Sequence, residues 1–324
     1  MSQGDWRPTA ERAALAHRAQ LLARTRAFFA DRGVLEVETP ALVAAATSDP
    51  QIESLAVAGP QGEHAGYLHT SPEYAMKRLL AAGSGDIYQL CRVYRAGERS
   101  RLHNPEFTLL EWYRLGYTLE QLMQETAGLA QQLLDPSDSP RPIELISYRE
   151  AFEQSLQIDP LTASHSALAA IARAQGLDLR SIATATRDEL LDFLAATQVG
   201  PALGKGRLSC LHHYPASQAS LAQLDAQDAR TALRFELYAE GVELANGYVE
   251  LGDADEQQRR FQADAQERAR RGLAPHEGDG RLVAALRSGM PACAGVAVGF
   301  DRLLMVARGA SHIDAVLALP AERA

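Results

Sequence analysis

The stretch Phe107-Thr108-Leu109-Leu110-Glu111-Trp112-Tyr113-Arg114-Leu115 decides how this chain is read. It is rich in aromatic and aliphatic residues and free of glycine and proline, a composition that predicts a strand. Side chains alternate along a strand, so Phe107, Leu109, Glu111 and Tyr113 share one face, while Thr108, Leu110, Trp112 and Arg114 share the other. One face thus lines up an aromatic ring, a carboxylate and a phenol. Upstream, Ile87 to Arg95 reads as the partner strand, and the loop from Ala96 to Glu106 carries Gly97, Glu98, Arg99, Arg101, His103 and Asn104. Such a hairpin offers a flat ring for a base, cations for phosphates and an anionic pocket for an amine. An ordinary amphipathic hairpin with a solvated loop has the same spacing, so the pattern by itself leaves both readings open.

Working outward, Thr9 to Arg32 is Ala-rich, with Leu15, Leu22 and Phe29 seven apart as a helical stripe and Gly33 placed as a C-terminal cap. Leu35, Val37 and Thr39 then alternate with Glu36 and Glu38, which predicts a short strand ended by Pro40. On the other side, Leu119 to Leu134 and about Ser166 to Thr197 are helical in pattern, joined through the linker Asp135-Pro136-Ser137-Asp138-Ser139-Pro140. A helical insertion over about 119–200 is expected. Leu208 to Tyr214 and Phe235 to Leu251 return to strand-like sequence, and a charged helix runs from Asp253 to Arg271, opened by Asp253 and Glu256 in capping-box spacing. Gly295 to Val306 gives a last strand and helix. The expectation is an α+β fold, an antiparallel sheet flanked by helices, as a single domain over 1–324.

The 324 residues are 46% hydrophobic, ample for a packed core. No apolar run approaches the ~20 residues of a membrane helix, and the start of the chain lacks a signal-peptide layout, so a cytoplasmic protein without membrane contacts is expected. A formal net charge of -9 disfavours nucleic acid as the main partner and points to a protein. Cys91, Cys210 and Cys293 are far apart, as reduced thiols would be. Glu243 and Glu250 are seven apart, so an unbroken strand would send them to opposite faces; Asn246-Gly247 between them predicts a bulge that restores convergence. Gly204-Lys205-Gly206 lacks the spacing of a P-loop. His212 and His213, adjacent on a strand, are expected to point apart and to ligate no metal.

Three groups of residues carry a resemblance. Cys91-Arg92-Val93-Tyr94-Arg95, His103-Asn104-Pro105-Glu106-Phe107-Thr108 and Glu111-Trp112-Tyr113 look like motif 2 of the class II aminoacyl-tRNA synthetases in its lysine-type form. Gly295-Val296-Ala297-Val298-Gly299-Phe300-Asp301-Arg302 looks like motif 3, and Phe28-Phe29 through Glu38-Thr39-Pro40 resembles motif 1. Thr70-Ser71-Pro72-Glu73-Tyr74, Pro215 to Gln223, and Glu243-Leu244-Ala245-Asn246-Gly247 are similar to the elongation factor P (R)-β-lysine ligases, a family of lysyl-tRNA synthetase paralogues. That similarity covers essentially the whole chain. No anticodon-reading β-barrel is legible ahead of motif 1, so tRNA is not the expected substrate.

The resemblance implies ATP and Mg²⁺ as cofactors and assigns residues to them. Arg95 would hold the α-phosphate, Phe107 would stack on adenine and Arg302 would grip the γ-phosphate, with Ala96, Gly97, Glu98, His103, Asn104, Leu244 and Gly299 completing the nucleotide site. Glu243 would meet the metal; Glu250 would share it or meet a substrate amine. Glu111 and Tyr113 are expected at the distal ammonium of the amino acid, with Ser71, Pro72, Glu73, Asn246 and Ala297 around the rest. Four carboxylates, Glu73, Glu111, Glu243 and Glu250, match two ammoniums and a magnesium. The implied reaction adenylates (R)-β-lysine, or less well α-lysine, and passes it to a lysine of elongation factor P. Motif 1 implies a homodimer.

Two departures stand out. Gly97 occupies a position usually glutamate, with Glu98 one place later, and Ala297 stands where lysyl-tRNA synthetases usually have glycine, reshaping the wall beside the amine. Two other functions remain in view: a synthetase-like enzyme charging tRNA or a small amine, and a non-catalytic ATP- or amino-acid-binding paralogue.

Overall fold

A computed structural model describes residues 6–134 and 140–324, so the Asp135 to Ser139 part of the linker lies outside the described residues. The chain forms two units, one of residues 6–117, 132–134 and 250–324, the other of residues 118–131 and 140–249. In chain order the elements are α1 (Arg12–Ala30), β1 (Leu35–Glu36), β2 (Leu42–Val43), β3 (Leu55–Ala58), β4 (His64–Leu68), α2 (Glu73–Ala81), β5 (Ile87–Tyr94) and β6 (Glu106–Leu115). Then come α3 (Leu119–Leu134), β7 (Ile143–Ser147), α4 (Tyr148–Leu156), α5 (His165–Ala174), α6 (Leu179–Thr184), α7 (Arg187–Leu194), β8 (Leu208–Pro215), β9 (Thr231–Ala239) and β10 (Val242–Val249). The last are α8 (Ala254–Arg270), α9 (Gly280–Gly289), β11 (Cys293–Gly299) and α10 (Phe300–Ala307).

In the first unit the main strands run β1-β5-β6-β11. β5, β6 and β11 pair antiparallel and β1 joins parallel. The opposite face of β6 is apolar, with Leu110 and Trp112 fully buried, and it takes α10 and α1 as cover. Phe29 of α1 stacks on Tyr88 at 4.3 Å between centroids and meets Trp112 edge-on at 5.3 Å. The buried face of α1 is Ala14, Leu21, Thr25, Phe28 and Phe29, so the expected Leu15–Leu22–Phe29 stripe is displaced, with Leu15 and Leu22 only half-buried at its border. A period of 3.6 rather than 3.5 explains the drift. Gly33, at φ +65°, supplies the left-handed turn that ends this helix region. β1 is shorter than the alternation predicted, although Val37 still donates to the Tyr88 carbonyl.

In the second unit β10-β9-β8-β7 form the sheet, antiparallel except that β7 joins β8 in parallel. The predicted helical insertion is present as α3 through α7, but it also contains β7, which the Pro- and Ser-bounded apolar run Ile143–Ser147 hid by its brevity. Phe235 to Leu251, read as one strand-like stretch, belongs to a hairpin: Glu240 (φ 53°) and Gly241 (φ 75°) both take left-handed conformations and form the tight turn between β9 and β10. The helix predicted from Asp253 is α8, capped by the Asp253 carboxylate on the amides of Asp255 and Glu256. The reciprocal arm of a capping box is replaced by ion pairs of Glu256 with Arg259 and Arg260. Among the described residues no helix is long and apolar enough to cross a membrane.

Candidate active site

The register of the first unit's sheet builds the site row by row. Across β5, β6 and β11, Gln89 lies opposite Glu111 and Glu111 opposite Ala297; Ile87, Tyr113 and Gly295 form the next row. Directly opposed residues present their side chains on the same face, so the predicted Phe107–Leu109–Glu111–Tyr113 face is continued by neighbours on both sides. Gly295 is needed there. A Cβ at that position would collide with Oε1 of Glu250 and the ring of Tyr113.

Glu111, 2% exposed, accepts from the Tyr113 hydroxyl at 2.5 Å and from the Ser71 hydroxyl at 2.8 Å. Ser71 in turn accepts from the amide of Glu73 at 3.0 Å, at the start of α2, where Pro72 stands as the N-cap residue. One turn on, Lys77 reaches Glu73 at 2.6 Å and Glu250 at 2.5 Å. The sequence reading missed Lys77. Its signal was the i, i+4 spacing from Glu73, visible only if Glu73–Ala81 is read as a helix.

Burial pushes Glu111 up to about 7, with the charge of Glu73 adding and the hydroxyls of Tyr113 and Ser71 opposing. Burial likewise pushes Glu250 up to about 8 against the pull of Lys77. Burial alone would lower the Lys77 amine, but Glu250 and Glu73 outweigh it and hold it charged. The pocket thus joins three carboxylates and one ammonium, a charge balance different from the four-carboxylate count made without Lys77.

The hairpin loop gathers the other predicted residues of this unit. The Arg95 guanidinium lies 5.1 Å from the centre of the Phe107 ring, donates toward the Thr70 carbonyl at 3.4 Å and faces Glu98 at 3.8 Å. Glu98 keeps one carboxylate oxygen buried without a hydrogen bond. Gly97 is at φ +74° with open space around a would-be Cβ, so the turn rather than crowding favours glycine there. Ala96 is tied through its amide to Glu53.

Arg302, on the first turn of α10 beyond Gly299, donates to His103 at 2.5 Å and to the Leu102 carbonyl at 3.3 Å. Burial, then the neighbouring Arg302 and, more weakly, Arg95, lower the His103 imidazole below its ordinary range against the pull of Glu98. Arg95, Glu98, His103, Phe107 and Arg302 therefore cluster. Asn104 is committed elsewhere: its amide donates to the Glu106 carbonyl at 2.6 Å and accepts from the Ala321 amide at 3.1 Å, so it braces the loop. Asp301 fixes α10 to β6 by accepting from the Thr108 amide at 2.7 Å and from Arg18.

Within the second unit, the bulge on β10 falls between Glu243 and Ala245, at Leu244, and not at the expected Asn246-Gly247, which pair regularly with Glu236 and Phe235. Half-buried Arg234, also missed, donates to Asn246 at 3.1 Å and to Glu236 at 2.6 Å. Burial and the nearby charge of Glu243 push Glu236 up, so two carboxylates stand close together. Among the described residues no three His, Cys, Asp or Glu side chains form a group that could hold a metal by themselves. That donor set suits Mg²⁺, which takes one or two carboxylates and draws its remaining ligands from phosphates and water. His212 and His213 correct another expectation: a bulge with His213 at φ 57° brings the two rings together rather than apart, and their Nδ1 atoms meet at 2.5 Å.

The family model for class II tRNA synthetases of the D, K and N type matches residues 4–323. The chain is 48% identical over 326 residues, 98% of each sequence, to the elongation factor P–(R)-β-lysine ligase of Salmonella arizonae. It is 47% identical over 323 residues, again 98% of each, to the enzyme of the same name from Pectobacterium atrosepticum. Sheet, hairpin and the extent of these matches agree, and the chain belongs to the class II tRNA synthetase family of the D, K and N type.

Proposed function

We propose that this chain is an ATP-dependent ligase that adenylates (R)-β-lysine, and less readily α-lysine, and transfers it to the ε-amino group of a lysine on elongation factor P. The observation that carries this reading is the pocket of Glu73, Glu111 and Glu250 around the lone ammonium of Lys77 among the described residues. Buried carboxylates in excess of cations call for further positive charge, and a diamino acid supplies two ammoniums. An apolar or acidic substrate would bring no positive charge to this pocket. The names borne by the relatives point to the same substrate and acceptor.

In this reading the substrate carboxylate attacks the α-phosphorus of ATP, the bond from that phosphorus to the α,β-bridging oxygen breaks, and pyrophosphate leaves. Arg95 and Arg302 hold phosphate oxygens, each through a fixed fork of donors, and stabilise the developing charge. Phe107 stacks the base, and the free buried oxygen of Glu98 accepts from its amino group in place of the glutamate missing at Gly97. Ala96, His103 and Gly299 line the nucleotide, while Asn104 braces its loop. Glu243, near Glu236, would hold Mg²⁺, which neutralises phosphate charge when bound. Glu111 and Tyr113 take the distal ammonium; Ser71, Pro72, Glu73, Glu250 and Ala297 shape the site of the other amine. No protein nucleophile takes part, and the acceptor amine attacks the adenylate carbonyl, releasing AMP.

The exposed edge residue Leu35, 56% exposed on β1, together with α1, supports a homodimer through this face. Pyrophosphate exchange with (R)-β-lysine and α-lysine, followed by transfer of labelled amino acid to elongation factor P or tRNA, tests the function. Exchange and protein labelling are expected; labelling of tRNA alone would replace this reading with a tRNA-charging one.

A further inference from the structure

Gln89 is the third residue of β5 and is 2% exposed, yet its amide oxygen is buried without a hydrogen-bond partner. Buried acceptors in folded proteins are nearly always paired, so an orphan in a polar pocket marks a place where a ligand atom belongs. The sheet register puts Gln89 directly opposite Glu111 and on the same face, with Ala297 completing the row from β11. The nitrogen end of the amide is accounted for, since the Gln89 side chain hydrogen-bonds the Cys91 thiol two residues along that face, and Cys91 in turn feels the charge of Glu111. The oxygen end is left without a donor, on a residue directly opposite Glu111.

We infer that Gln89 is a specificity-determining residue, its amide oxygen accepting one N–H of the substrate's distal ammonium next to Glu111. The inference rests on the assignment of Glu111 to that ammonium in the proposed function. An ammonium carries three donors and no acceptor. Glu111 keeps further lone pairs after accepting from Tyr113 and Ser71, and Gln89 provides an acceptor beside it. A neutral acceptor satisfies the last donor without adding a charge next to a carboxylate that burial already pushes up. A substrate lacking the distal amine would leave the Gln89 oxygen buried without a donor and would bring no counter-charge to Glu111, and an unmet polar group of this kind gives the strongest discrimination between close analogues.

The test is pyrophosphate exchange with wild type, Gln89→Met and Gln89→Glu, using (R)-β-lysine, α-lysine and norleucine, an apolar analogue without the distal amine. Methionine keeps the length and removes the acceptor. The expected result for Q89M is a KM for the diamino acids raised roughly tenfold to a hundredfold, the loss of one hydrogen bond to a charged group. KM for ATP stays unchanged, the preference over norleucine shrinks by the same factor, and Q89E restores most of it. An unchanged KM for the diamino acids, or an equal loss for norleucine, overturns the inference while leaving the ligase reading intact. Should wild type support no exchange with either diamino acid, the pocket assignment falls and this inference falls with it. If Q89M fails to fold, Q89E decides alone: keeping the acceptor must keep the preference for the diamino acids over norleucine, and a weakened preference counts against the role.

Discussion

Lys77 shows how one residue sets the terms of the pocket. Its ammonium sits between Glu73 and Glu250, almost fully buried. Removing one member of a buried ion pair leaves the others uncompensated, which typically costs about 3–5 kcal/mol. Lys77→Met is therefore expected to lower stability by about that amount, measured by urea unfolding, with part of the loss recovered at low pH as Glu250 takes up a proton. Gly295 is the second sensitive position. A methyl there meets Tyr113 and Glu250 at once, and overpacking of this kind costs about 1–3 kcal/mol. Gly295→Ala should lose amino-acid activation more than ATP binding, read as a rise in KM for the amino acid; an unchanged KM would show that Tyr113 and Glu250 yield without consequence.

At the scale of an element, the loop between β5 and β6 is braced from its far side. Arg99 pairs with Asp314 at 2.8 Å and with Glu322, Asn104 receives the Ala321 amide at 3.1 Å, and Ile313 donates its amide to the Arg101 carbonyl at 2.9 Å. This clasp sits beside Arg302 and His103 and is separate from the carboxylate pocket of α2. Arg99→Ala is accordingly expected to raise KM for ATP several-fold, about what the loss of a partly exposed charge pair and its ordering can supply. KM for the amino acid should hardly move. A parallel rise in both constants would mean that the loop and the amino-acid pocket form one cooperative piece.

At the scale of the whole molecule, the titration of the pocket should couple substrate binding to pH. Glu111 rises from an ordinary 4.5 to about 7 and Glu250 to about 8 on folding, both by burial first. A carboxyl raised on folding holds its proton longer in the native state, so native protein binds more protons than unfolded chain between about pH 4.5 and 8, and stability falls as pH rises through that window. Glu111→Gln should flatten the decline in melting temperature over this range. A diammonium ligand favours the ionised carboxylates, so (R)-β-lysine binding should release protons and tighten as pH climbs from 6 to 8, checked by calorimetry in buffers of different ionisation enthalpy. Binding that is flat in pH would place the substrate's amines elsewhere.

Sequence by itself determined the strands around Phe107–Leu115 and Gly295–Gly299, the face shared by Phe107, Glu111 and Tyr113, and the family. These depend on alternation, period and motif wording, which are local and survive without knowledge of neighbours. Only the tertiary structure decided that Lys77 joins Glu73 to Glu250, that the strand bends at Leu244 rather than at Asn246-Gly247, and that His212 and His213 face each other. Ion pairs between remote segments and the placement of bulges follow from packing against partners distant in the chain, and no pattern along one segment encodes the position of another.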